Sequence, residues 1–194
     1  MVKDGAQGVF GLGTTTILDR RKSEVIFSPP FINNIAVMIT HSSVKNLSNL
    51  NQMATEFGNL KGLAGKGTTL EGYLINATQK YYPSAKLEYL PSQIEVVNKV
   101  ASDPSYFAYV DLSIYWPAFD KQKLSIKRHP VGDLASETFG FIMPLDSDWG
   151  PVINEFFNLG TGYRSTAAYR NILMKHLGVE VTKMLEIARN QQSN

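Results

Sequence analysis

Between residues 69 and 110 the apolar spacing switches from helical to extended twice. That alternation constrains the fold more than any other feature of the chain. Leu70, Tyr73, Leu74, Ala77 and Tyr81 recur at the i, i+3, i+4, i+7 intervals of a helix buried along one stripe. Residues 86–90 then alternate charged and apolar side chains, as a half-buried strand does. Ile94, Val97, Val100 and Ala101 form a second helical stripe behind Ser92, a hydroxyl suited to an N-cap. Residues 106–110 are continuously apolar, and 123–127 alternate again. The β-α-β-α-β order, entered from short strands, predicts an α/β lobe with a mostly parallel sheet.

The flanks read differently. Before residue 40 the apolar runs are short: 8–12, 25–27 and 36–39, each bounded by turn residues, suit buried strands. Pro29-Pro30 excludes a helix there. Residues 138–143 predict a strand stopped by Pro144. Asp146 or Ser147 is placed to cap a helix with Trp149, Val152, Ile153, Phe156 and Phe157 on one face. Two further helices follow, one ending at Gly178 and one carrying Val181, Met184, Leu185 and Ala188 before the polar tail 190–194.

Composition excludes several function classes. The net charge of +2 lacks the basic excess of a phosphate-backbone binder, so no nucleic-acid partner is expected. The absence of cysteine removes disulfides, thiolate metal sites and cysteine nucleophiles together. His41, His129 and His176 have no metal-ligand spacing, so no metal is expected. With 194 residues, 43% of them hydrophobic, the chain can bury a core as one domain or two small lobes. Asn46-Leu47-Ser48 and Asn76-Ala77-Thr78 match a glycosylation pattern short enough to arise by chance.

Three groups of residues carry chemistry. Gly67-Thr68-Thr69 stands before a predicted helix, after a glycine-rich stretch that begins at Gly62. Gly67 follows Lys66 where a nucleotide loop requires a hydroxyl, and the glycines at 8, 11 and 13 have reversed dinucleotide spacing, so no nucleotide is expected. Thr68 and Thr69 then have two readings: an ordinary helix cap, or amides and hydroxyls that receive a carboxylate. Thr14-Thr15-Thr16 with Arg20-Arg21 reads either as a solvated turn or as hydroxyls and a guanidinium fork around a carboxylate. Asp111 ends an apolar strand ahead of Tyr115-Trp116, either as a helix cap or at the strand end where open α/β sheets bind ligands.

Taken in order, these groups resemble one family. The segment from Thr14 to Arg21, followed by Val25-Ile26-Phe27-Ser28-Pro29-Pro30-Phe31, is similar to the T-I-T-x-x-R … v-F-S-x-P signature of periplasmic solute-binding proteins for polar amino acids. The ligand cores of ionotropic glutamate receptors share that pattern. Gly67-Thr68-Thr69-Leu70-Glu71 resembles their G-[ST]-T-x-E helix start, Tyr109-Val110-Asp111 their acidic strand end, and Phe139-Gly140-Phe141-Ile142-Met143-Pro144 their return crossing. The resemblance covers about residues 5–160.

It implies a two-lobe type II periplasmic-binding-protein-like α/β fold. Residues 1–41 would begin lobe 1, 42–137 would form lobe 2, and 138–194 would complete lobe 1 with extra C-terminal helices. The family's usual opening elements have no counterpart before Gly5, which implies an incomplete first lobe, and Ser102-Asp103-Pro104-Ser105-Tyr106 departs from the family's usual Gly-x-x-Asp-Ala. The resemblance further implies that Arg21 holds a ligand carboxylate with Thr16 and the backbone near Thr14. Thr68 and Thr69 would close on the same carboxylate, and Asp111 would pair with the α-ammonium. The expected protein is a non-enzymatic, cofactor-free, extracytoplasmic binder of a free amino acid, exported by a signal upstream of the part seen here. It would serve an ABC importer permease or a sensory receptor. The alternatives are an enzyme on the same fold, such as a cyclohexadienyl dehydratase, or a degenerate adaptor. The apolar residues Val9, Phe10 and Leu12 need cover, from a homodimer or from the C-terminal helices.

Overall fold

The computed structural model describes residues 2–158 and 160–192, with the side chains of 135, 136 and 190–192 left out; the end of the polar tail, 193–194, lies outside the described residues. The chain divides into two compact units, one of Met1–Asn34 with Ser136–Asn194 and one of Ile35–Ala135. The two unit boundaries fall inside the long strands β3 (Ile32–His41) and β8 (Leu134–Met143).

The central unit has the predicted alternation. It contains α1 (Met53–Glu56), β4 (Lys61–Gly65), α2 (Thr69–Tyr81), β5 (Leu87–Leu90), α3 (Gln93–Ser102), β6 (Tyr106–Asp111), α4 (Leu112–Trp116) and β7 (Ile126–Arg128). Strand β4 runs parallel to both β5 and β6, the consequence of the helical crossovers α2 and α3. The sheet is mixed rather than mostly parallel, however. Residues 36–40 of β3 pair antiparallel with residues 107–111 of β6, and β3 also pairs antiparallel with β7. The core beneath it is formed by Met38, Met53, Phe57, Leu70, Leu74, Phe107 and Tyr109. Strand β4 went unread in the sequence because Gly62 and Gly65 weaken a strand pattern. Gly62 is there because a Cβ would meet the Leu87 side chain at 2.6 Å and that of Leu74 at 3.1 Å.

Strand β7 covers less than the alternating 123–127 suggested. Lys123 adopts a left-handed φ of 54° at the end of a π-helical turn, Pro117–Lys121, so extended structure begins only at Ile126.

The other unit carries β1 (Gly11–Thr16) and β2 (Ile26–Phe27), both antiparallel to β8. Strand β1 starts later than predicted, because residues 5–9 form turns held by Gly5 N–H to the Val2 carbonyl and Val9 N–H to the Ala6 carbonyl. Helix α5 (Gly150–Phe156) has Trp149, not Asp146 or Ser147, at its N-cap position, with no side-chain capping bond, and of its predicted apolar face Phe157 is buried while Trp149, Val152 and Phe156 stay exposed. Helix α6 (Ala167–Gln192) breaks at Gly178, whose φ of 79° a residue with a Cβ rarely adopts, and its second half buries Val181, Leu185 and Ala188.

Candidate functional site

In the central unit, strand β4 delivers the chain into Gly65-Lys66-Gly67 and then into α2. Gly67 turns the chain at φ +76°. The Thr68 hydroxyl donates to the Gly65 carbonyl at 2.7 Å and accepts from the Glu71 amide at 3.2 Å. Glu71 reaches back to accept the Gly67 amide at 2.5 Å, closing a capping box around the helix start. Thr68 is therefore a working cap. Among the described residues, the Thr69 hydroxyl makes no hydrogen bond to the protein, and it stands in the first turn of a 13-residue helix whose N-terminus carries partial positive charge.

Asp111 closes β6 in the same unit and is buried. Gln93, the first residue of α3, clasps it at both ends: Gln93 Nε2 donates to Asp111 Oδ2 at 2.6 Å, and the Asp111 amide donates to Gln93 Oε1 at 3.0 Å. Asp111 also occupies the N-cap position of α4, without a side-chain capping bond. Gln93 was not singled out from sequence; the first position of an N-capped helix carries no signal that its side chain will be turned to a strand end.

In the other unit, β1 leads into a 3₁₀ turn, Asp19–Arg21, that positions Arg21. Arg21 Nη1 donates to the Thr16 carbonyl at 3.1 Å, which leaves further guanidinium donors directed elsewhere. Thr16 is buried, and its hydroxyl donates to Glu137 Oε2 at 3.2 Å. Thr16 thus joins a guanidinium at its carbonyl to a carboxylate at its hydroxyl. Thr14 lies exposed on β1. Counted back from Arg21, the second threonine of the T-I-T run is Leu18, which is the N-cap of the turn and offers no capping side chain.

Glu137 is the functional candidate that sequence reasoning missed. It is buried in β8, and its second oxygen, Oε1, has no hydrogen-bond partner among the described residues. A buried carboxylate oxygen left unpaired is costly, and such groups persist where a function uses them. The one local signal was an acidic residue directly before an apolar strand, which also describes a solvated strand end.

His129 is a buried histidine of the central unit. Its Nε2 lies 2.8 Å from the Thr40 hydroxyl, which itself donates to the His41 carbonyl, and its Nδ1 accepts from the Leu47 amide at 3.2 Å. Both ring nitrogens are satisfied only in the neutral Nε2–H form. Burial, reinforced by the positive charge of Lys127, lowers its pKa to about 4. This is a structural histidine. Among the described residues, no group of three or more His, Asp or Glu side chains could hold a metal ion, and no helix is long and apolar enough to cross a membrane.

No protein-family profile and no curated protein sequence matches the chain. Solved structures do. The arginine-, lysine-, histidine-binding protein ArtJ from Geobacillus stearothermophilus matches with a TM-score of 0.64 at 18% identity, over 88% of this chain and 70% of that one. A mutant of ArgBP from T. maritima matches with a TM-score of 0.67 at 16% identity, over 88% of this chain and 69% of that one. The GluR0 ligand-binding core from Nostoc punctiforme, in complex with L-glutamate, matches with a TM-score of 0.61 at 16% identity, over 88% and 73%. The fold is the type II periplasmic-binding-protein fold, in a chain that spans about 70% of the length of the ArtJ chain.

Proposed function

We propose that this chain binds a free amino acid, as an extracytoplasmic solute-binding module rather than an enzyme. The observation that carries the reading is the Arg21–Thr16–Glu137 group: a guanidinium with spare donors and a buried carboxylate with an unpartnered oxygen, both attached to one residue. A zwitterion presents the two complementary charges. Arg21 takes the ligand carboxylate, with the exposed Thr14 segment beside it in sequence. In the central unit, Thr69 and the start of α2 offer a second carboxylate receptor, with Thr68 shaping it as the cap. Asp111 and Glu137 are the two candidates for the ammonium, and Glu137 has the oxygen to spare. The neighbours of the same fold support this reading through what they bind: arginine, lysine and histidine for ArtJ, and L-glutamate for the GluR0 core.

In the transport version of this reading the partner is an ABC permease, and in the sensory version it is a receptor's signalling segment. Leu12 and Val9 on and before β1 are exposed apolar residues, which supports a homodimer through this edge. Calorimetry with a panel of the common amino acids tests the reading. Saturable binding of at least one, lost in Arg21→Gln, supports it; a silent panel refutes it. Turnover of arogenate or prephenate would favour the enzyme on this fold instead. Light scattering tests the dimer.

A further inference from the structure

The central unit holds a small cavity apart from the residues discussed above. It has a volume of about 150 Å³ and lies between α3 and the segment made of α4 and the π-helical turn Pro117–Lys121. Ile94, Val97 and Asn98 face it from α3 at the i, i+3, i+4 spacing of one helix face. Ile114 and Ala118, four residues apart, face it from the other side together with Pro117. Val97 and Ala118 are buried, while Ile94 is left 63% exposed. An isoleucine that wet beside an apolar hollow gains from any apolar body that fills it.

The chemistry of the wall selects the occupant. Among the described lining residues none is ionisable. An ion entering would give up its hydration and meet no opposite charge, so the cavity suits a neutral molecule. Its polar members are Asn98, Gln122 and Ser113. Asn98 and Gln122 are exposed amides that border the opening. Ser113 differs: its hydroxyl oxygen is buried and has no hydrogen-bond partner among the described residues. A helical serine often donates back to the carbonyl four residues earlier. For Ser113 that residue is Tyr109, which lies in β6 rather than in a helix, so the usual bond is not formed. A buried hydroxyl left unpaired is costly, and rotation about one side-chain bond aims it at the cavity.

The backbone beside the cavity holds it open. The Gln122 amide donates to the Pro117 carbonyl at 3.0 Å and the Leu124 amide to the Ala118 carbonyl at 3.0 Å, which fixes a turn wider than an α-helical one. Lys123 completes it at a φ of 54°, a conformation that a residue with a Cβ adopts at a cost. Wide turns of this kind recur at functional sites.

We propose that this cavity binds a small neutral ring-sized molecule carrying one hydroxyl group, with the aliphatic wall taking the ring and Ser113 pairing with the hydroxyl. A cavity of about 150 Å³ lined by aliphatic side chains has room for one benzene-sized ring. The site is separate from the amino-acid reading and uses none of its residues.

The test is calorimetry on the whole chain with phenol as the probe, benzene as the probe without a hydroxyl, and benzoate and benzylammonium as charged controls. Phenol is expected to bind saturably at one site per chain, more tightly than benzene, with neither charged control binding. Ser113→Ala should weaken phenol about fivefold, the loss of one neutral hydrogen bond, and leave benzene unchanged; Arg21→Gln should leave both unchanged. Circular dichroism checks that Ser113→Ala is folded. If it is not, the backbone amide signals of Ile94, Ser113 and Ala118 in the unmodified protein, followed by NMR, should shift with phenol and saturate together. No saturable phenol binding, equal binding of a charged control, or a Ser113→Ala effect that is absent or the same for phenol and benzene overturns the proposal. So do amide shifts that saturate elsewhere and leave these three residues unmoved.

Discussion

Acid should destabilise the central unit through one residue, His129. In the folded chain its pKa is lowered from 6.5 to about 4, first by burial and then by Lys127. Above the unfolded value both states are neutral, so the full benefit of the buried neutral ring is present. As pH falls from 6.5 towards 4 the unfolded chain takes up a proton that the folded chain refuses, and stability declines. Below the folded value both are protonated and no more is lost from this group. The total at stake is about 3 kcal/mol, of which about 2 kcal/mol is gone by about pH 5. Protonation removes the Nδ1 acceptor of the Leu47 amide and places a charge edge-on to Phe57, whose ring centroid is 5.3 Å away. The assay is urea unfolding of the wild type and of His129→Gln between about pH 7.5 and 5. Glutamine can still donate to Thr40 and accept from Leu47, yet it cannot take up a proton. Carboxylates titrate in both proteins, so the difference between the two curves isolates His129. That difference should move by about 2 kcal/mol in favour of the variant across this range. Parallel curves, or a His129 ring signal that titrates near 6.5 in the folded state, would refute the argument.

Three further outcomes are expected. Arg21→Lys should weaken amino-acid binding by roughly 2–5 kcal/mol in calorimetry, because lysine keeps the charge but loses the paired donors that fit a carboxylate; unchanged affinity would remove Arg21 from the site. Glu137→Gln should separate affinity from stability: an amide in place of a buried carboxylate leaves the fold as stable or more so by chemical denaturation, while ligand affinity drops about tenfold, and equal affinity would return the ammonium to Asp111. Gly67→Ala should cost about 1 kcal/mol in thermal unfolding, since its φ of +76° disfavours a Cβ although nothing lies within 4 Å to clash with one.

The helices α2 and α3 and the strand β6 were legible in the sequence because their causes are local. The apolar interval along 70–81, the Thr68 and Ser92 hydroxyls that accept from Glu71 and Glu95, and the unbroken apolar run of 106–110 act within a turn or two of chain. Arg21, Thr69 and Asp111 were likewise picked out from short patterns, and the fold of the solved structures that match is the one those patterns implied. Tertiary structure decided what those groups can reach. Strand β4 exists because β5 and β6 flank it, which outweighs the poor strand preference of Gly62 and Gly65. Antiparallel β3 makes the sheet mixed, a pairing no local period encodes. Thr68 became a closed cap and Asp111 was clasped by Gln93, 18 residues away. Glu137 met Thr16 across 121 residues, and His129 met Thr40 across 89. The physical reason is range. Backbone preference, capping and hydrophobic period are set by neighbours along the chain. Which acceptor a buried hydroxyl or carboxylate meets is set by which strands the core brings side by side.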